Sequence, residues 1–100
     1  MSPNSVILRM SRIEYLSSID EDIFFEWLGK IGCVSDYRGV GDELLVTVAM
    51  QKLDDKSLRE LIALFYRYRA DMKQLAIFRD DDNRQWFSDP EKYWHKSIFG

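Results

Sequence analysis

The spacing of apolar residues changes along the chain, and each change of period marks an element. Val6 to Met10 is a short apolar stretch in which Arg9 faces away from Leu8 and Met10, which predicts a first strand. From Ser18 to Gly32 the period lengthens. Ile19, Ile23, Trp27 and Ile31 recur every four residues with Phe24 and Leu28 beside them, one broad apolar face of a helix near 18–31. Ser18 is the expected cap, and Glu21 three residues on completes a capping box. Acids at 20–22 complement the positive helix end, and Gly32 is the expected left-handed stop. Cys33 to Val40 and Glu43 to Met50 flank Gly39-Val40-Gly41-Asp42. The second segment is dense in strand formers, which predicts a hairpin through 33–50.

In the second half, Asp54 or Asp55 opens a long helix near 55–78. Leu58, Leu61, Ile62, Phe65, Met72, Leu75 and Ala76 fall near one face of it, with a break around Asp71 compatible with the pattern. Lys56, Arg59, Glu60, Arg67 and Lys73 fall on the other face. Arg79 to Ser88 is polar apart from Trp86 and Phe87 and reads as a loop. Asp89 followed by Pro90 is a helix-start signal, since proline fits the first helical position and aspartate caps it, so a short closing helix is expected at 90–98. The sum is an α+β fold: one domain over 1–100, a short antiparallel sheet against two main helices and a short carboxy-terminal helix.

A chain of 100 residues builds one core, and 46% hydrophobic residues suffice to fill it. Cys33 is the only cysteine, so no intrachain disulfide forms, and its expected role is that of a small buried hydrophobe. Met1 to Met10 lacks the basic start and long apolar run of a signal peptide, and no stretch approaches the ~20 apolar residues of a membrane span. A cytoplasmic location is therefore expected. The net charge of -3 is unevenly spread: residues 1–50 carry four Lys/Arg against eight Asp/Glu, residues 51–100 ten against nine. An acidic surface repels phosphate, so nucleic acid is not the expected partner and a cationic protein is.

The reactive groups are few. His95 is the only histidine, and with Cys33 it makes at most two soft metal ligands, short of a zinc site's four. Asp80-Asp81-Asp82-Asn83 begins like a calcium loop, but Arg84 occupies a ligand position and Gln85 the position that needs glycine. Gly39-Val40-Gly41 lacks the context of a phosphate loop, and Asp42 and Glu43 follow it. Tyr66-Arg67-Tyr68-Arg69 mixes base-stacking and phosphate-pairing side chains, yet on a helix four successive residues point four ways. The expectation is no enzyme, no metal and no cofactor. What remains is a concentration of aromatic residues near the carboxy terminus, including Trp86, Tyr93 and Trp94, beside the acids Asp80, Asp81 and Asp82. A second acidic group is Asp20, Glu21, Asp22 and Glu26. Tryptophan and tyrosine anchor interfaces and acids steer a basic partner, so these ten residues are the candidate contact set. Exposed aromatics would serve a homodimer equally well.

The stretch from Trp86-Phe87-Ser88-Asp89-Pro90 to Tyr93-Trp94-His95-Lys96-Ser97-Ile98-Phe99-Gly100, with the preceding Phe65 to Leu75 segment, resembles small immunity proteins encoded beside bacterial polymorphic or contact-dependent growth-inhibition toxins. Such proteins share no motif, so the resemblance carries over no residue role. It implies binding to a toxin domain, often a nuclease, with acidic side chains occupying the basic cleft that holds the substrate phosphates; the alternative expectation is another protein-interaction module, such as an antitoxin, a phage-encoded inhibitor or an adaptor.

Overall fold

The computed structural model describes residues 4–100; Met1 to Pro3 of the amino-terminal stretch lie outside the described residues. Three strands form one antiparallel sheet in the order β1-β3-β2, with β1 at Ser5–Ser11, β2 at Val34–Val40 and β3 at Glu43–Ala49. The first strand is thus longer than its apolar stretch. Helix α1 (Ser18–Lys30) lies between β1 and β2 in the chain, and α2 (Asp55–Arg67) follows the sheet. The expected α+β class is what the chain adopts.

Alternation sets the sheet's two faces. Leu8 and Met10 on β1 and Leu44, Val46 and Val48 on β3 are buried, while Ile7 and Arg9 look out. Val40 pairs with Glu43, leaving a two-residue turn whose first member, Gly41, has φ 63°. A primed hairpin turn requires that conformation, and glycine adopts it without strain. The edge of β1 away from β3 is closed by a side chain: Arg9 N–H donates to Gln74 Oε1 at 2.9 Å, and Gln74 Nε2 donates to the Arg9 carbonyl at 2.7 Å.

Helix α1 starts one residue earlier than its capping box predicts. Ser17 is the cap, its hydroxyl accepting Asp20 N–H at 3.1 Å, and Asp20 Oδ2 accepts Leu16 N–H at 2.8 Å in return. Glu21 has no part in it. At the other end Ile31 closes the helix in an extended conformation and Gly32 is not left-handed. Glycine suits position 32 for space instead, because a Cβ there would sit 3.2 Å from the Ser57 hydroxyl on α2. The buried stripe of α1 is Phe24 and Leu28, continued by Ile31; of the expected stripe Ile19, Ile23, Trp27 and Ile31, the first two are turned outward and Trp27 is half-buried.

The long helix also ends sooner than its stripe predicts. After Arg67 the chain reverses through Arg69 at φ 59°. Ala70 N–H reaches the Phe65 carbonyl (2.9 Å) and Arg69 N–H the Tyr66 carbonyl (3.3 Å), the paired bonds of a Schellman motif. A 3-10 segment, Lys73–Phe78, carries Leu75 and Phe78 into the core. The expected loop at 79–88 holds a short helix α3 (Arg84–Phe87), and Asn83 is buried with its Nδ2 on the Phe78 carbonyl. The expected helix at 90–98 shortens to α4 (His95–Phe99): Asp89 accepts Glu91 N–H and makes a turn, not a continuous helix. The core fills the space between the sheet, α1 and α2. Phe87, Trp94 and Ile98 seal its end, and Trp94 Nε1 donates to the Phe87 carbonyl at 2.7 Å.

Candidate functional site

Two surfaces differ in shape and chemistry. The first is the outer face of α1. Ile19, Asp22, Ile23 and Glu26 stand at i, i+3, i+4 and i+7, the spacing of one helical face, and all four are exposed. Ile19 is 68% and Ile23 52% exposed, and Leu16 just before the helix is 85% exposed. Phe24, Leu28 and Ile31 already fill the space beneath α1, so these apolar side chains have no place in this core. Glu26 has a surface ion pair with Lys30 at 3.1 Å, and Glu21 is exposed beside the strip. Such pairs in water contribute little and leave a carboxylate open to a better partner.

The second surface is a wide groove of about 1530 Å³ where the end of α2 and the following turn meet the carboxy-terminal segment. Its walls include Trp27, Tyr66, Arg67, Tyr68, Arg69, Lys73, Tyr93 and Lys96. Tyr66 and Tyr93 pack edge to face with centroids 4.7 Å apart, and each is about half exposed. Burial raises the Tyr93 phenol above its ordinary pKa, helped by Tyr66 and Glu60. The Tyr68 ring packs against Phe24 at 4.8 Å and its hydroxyl donates to Asp20 Oδ1 at 2.8 Å. The Leu16 N–H, and then this hydroxyl, hold the Asp20 carboxyl below its ordinary pKa. Sequence spacing separated Tyr66 to Arg69 into four directions. Because α2 stops at Arg67 and the chain reverses, all four line the same groove.

The ten candidate contact residues therefore divide. Asp22, Glu26 and Glu21 share the outer side of α1 with the exposed isoleucines, whereas Asp20 and Tyr93 line the groove. Asp80 and Asp82 border a shallow hollow of about 480 Å³ with Asp54, Asp55 and Lys56. Much of that acidity is spent internally. Asp80 Oδ1 accepts the N–H groups of Asp82 and Asn83, Asp81 pairs with Arg84, and Asp54 caps α2 by accepting Ser57 N–H at 2.8 Å. Trp86 is half-buried, with the Arg59 guanidinium 3.9 Å above its ring. Trp94 is 5% exposed and offers a partner no surface, which corrects its place in the contact set.

Sequence reasoning missed Ile19, Ile23 and Leu16 because it placed the isoleucines in the core. The surplus of apolar residues on α1, wider than one helix face can bury, was the available signal. Cys33 is fully buried as expected, and burial pushes its thiol up to about 11. Among the described residues no three potential ligands gather to hold a metal ion, and no helix is long and apolar enough to cross a membrane. No family model, curated protein or solved structure matches the chain.

Proposed function

We propose that this chain is an immunity protein that binds and neutralises a cationic bacterial toxin domain in the cytoplasm by direct contact. The observation that carries the reading is the outer face of α1, where Ile19 and Ile23 stand exposed in line with Asp22 and Glu26. Exposed isoleucines in register are apolar anchors; fully burying one is worth roughly 1.5–3 kcal/mol. Carboxylates alongside them raise the encounter rate with a basic surface and fix its register. A nuclease toxin, with a basic cleft for its substrate, has the complementary charge. The resemblance of residues 65–75 and 86–100 to immunity proteins supports the same class of partner.

The test begins with the tagged protein as bait in its native host, with retained proteins identified by mass spectrometry. A stoichiometric basic toxin domain is the expected capture. With that complex in hand, Ile19→Asp and Ile23→Asp should each abolish tight binding without changing the thermal melt. Asp22→Ala with Glu26→Ala should slow association about tenfold at low salt and flatten its salt dependence. A captured toxin whose binding ignores all four substitutions would remove the α1 face from the account. No captured protein would remove the immunity reading.

A further inference from the structure

The groove at the end of α2 has no role in that reading, and its chemistry is opposite to that of the acidic surface. Arg67, Arg69, Lys73 and Lys96 line it, are exposed, and form no ion pair with any described residue. Five cationic side chains face the groove against three acidic ones, in a chain whose net charge is -3. Hydrogen bonds fix two of the acids in place without removing their charge: Asp20 accepts the Tyr68 hydroxyl and Leu16 N–H, and Asp71 accepts Lys73 N–H at 3.1 Å. The cations are not consumed in capping α2, because backbone N–H groups of residues 68–70 take the carbonyls of Leu64, Phe65 and Tyr66.

The walls add a second kind of recognition. Tyr66 and Tyr93 are about half exposed in the midst of these cations. Side chains that stack on flat rings, interleaved with guanidinium and ammonium groups, match a ligand that alternates nucleobases with phosphates. An acidic peptide would use the cations and leave the rings idle. The volume, about 1530 Å³, also exceeds the ~300–1,000 Å³ usual for one small ligand and suits a chain segment. Arg69 holds a left-handed conformation that costs a non-glycine residue stability, and that turn is what brings Tyr66 to Arg69 onto one concave wall.

The geometry points to this groove as a binding site for a short single-stranded nucleic acid, with phosphates on Arg67, Arg69, Lys73 and Lys96 and bases against Tyr66 and Tyr93. A local cationic concavity focuses the field at its floor. Leu16 and Asp20 border the groove, but Ile19, Asp22, Ile23 and Glu26 lie outside it, and the proposal does not depend on the immunity reading.

Fluorescence anisotropy with labelled RNA and DNA strands of ~10 nucleotides tests it at low salt. The expected result is saturable binding whose log K falls with log salt at a slope of roughly -2 to -3, from about -0.7 per neutralised phosphate. Arg67→Gln combined with Arg69→Gly should weaken it at least tenfold; glycine at 69 relieves the backbone, so the fold is kept. Tyr66→Ala should also cost roughly tenfold, and Ile23→Asp nothing, which separates the groove from the toxin-binding face. Tighter binding of RNA or of DNA would name the natural source. The proposal is overturned if neither strand binds, if the arginine and tyrosine variants bind like the parent, or if a glutamate peptide of equal length competes equally.

Discussion

Arg69 occupies the position after a helix where glycine is usual, at φ 59°. The left-handed conformation costs an L-residue about 1–2 kcal/mol, so Arg69→Gly should raise stability by about 1 kcal/mol in urea melts while removing one groove cation. The absence of glycine there is also why the end of α2 was hard to place: the apolar stripe runs on through Met72 and Leu75, and the pattern allowed a break only around Asp71, a few residues past the observed end. Two aspartates contribute stability that depends on pH. Asp54 is held below its ordinary pKa by the Ser57 N–H, and Asp20 by the Leu16 N–H and the Tyr68 hydroxyl. Each folded pKa lies under the unfolded value, so this stabilisation is complete above about pH 4 and is lost as pH falls through the folded values. Urea midpoints should hold steady from about pH 7 to about pH 5 and fall below about pH 4. Asp54→Asn, which can still accept the Ser57 N–H but does not titrate, should flatten part of that fall.

At the scale of elements, the strand formers of β3 and the Gly41 turn made the hairpin readable, since β3 buries alternate residues; β2, exposed from Ser35 to Val40, carries no such pattern. Helix α1 was readable as a helix but not in its orientation. Apolar residues occupy more than half its circumference, and only the rest of the fold decides that Phe24 and Leu28 go inward while Ile19 and Ile23 stay out. The fate of sheet edges is equally invisible in a one-dimensional pattern. On β1 the Gln74 amide, 65 residues away, supplies the donor and acceptor that a fourth strand would offer Arg9. Gln74→Ala should cost about 1 kcal/mol in urea melts, because the freed backbone groups can turn to water. Its larger effect should appear as faster growth of light scattering on warming, since an unblocked edge is a template for another chain. Equal scattering from the two proteins would show that the amide is not what protects the edge.

Across the whole molecule, charge is sorted by place. Acids gather on the outer side of α1 and around the shallow hollow beside the 80–82 turn, and the groove holds an excess of cations. Composition revealed the acidic balance but not this sorting, because the groove is assembled from residue 12 through residue 97 by a chain reversal that no motif marks. Trp94 was misread for a related reason: a tryptophan near a polar terminus looks like an anchor for a partner until the terminus is seen folded back over Phe87.

The buried Cys33 gives the molecule a clock. Its thiol is buried in the core beside Ser57 of α2, and burial pushes its pKa up to about 11, so a thiol reagent at neutral pH finds almost no thiolate in the closed state. Labelling must wait until the domain opens. At saturating reagent the labelling rate should become independent of reagent concentration and equal the opening rate, and at low reagent it should report the opening equilibrium. Rapid labelling that stays first-order in reagent in the absence of urea would mean that Cys33 is reached without opening of the core. Under the expected behaviour, bound toxin or bound oligonucleotide should each lengthen the interval between openings, measurable at one native sulfur with no added label.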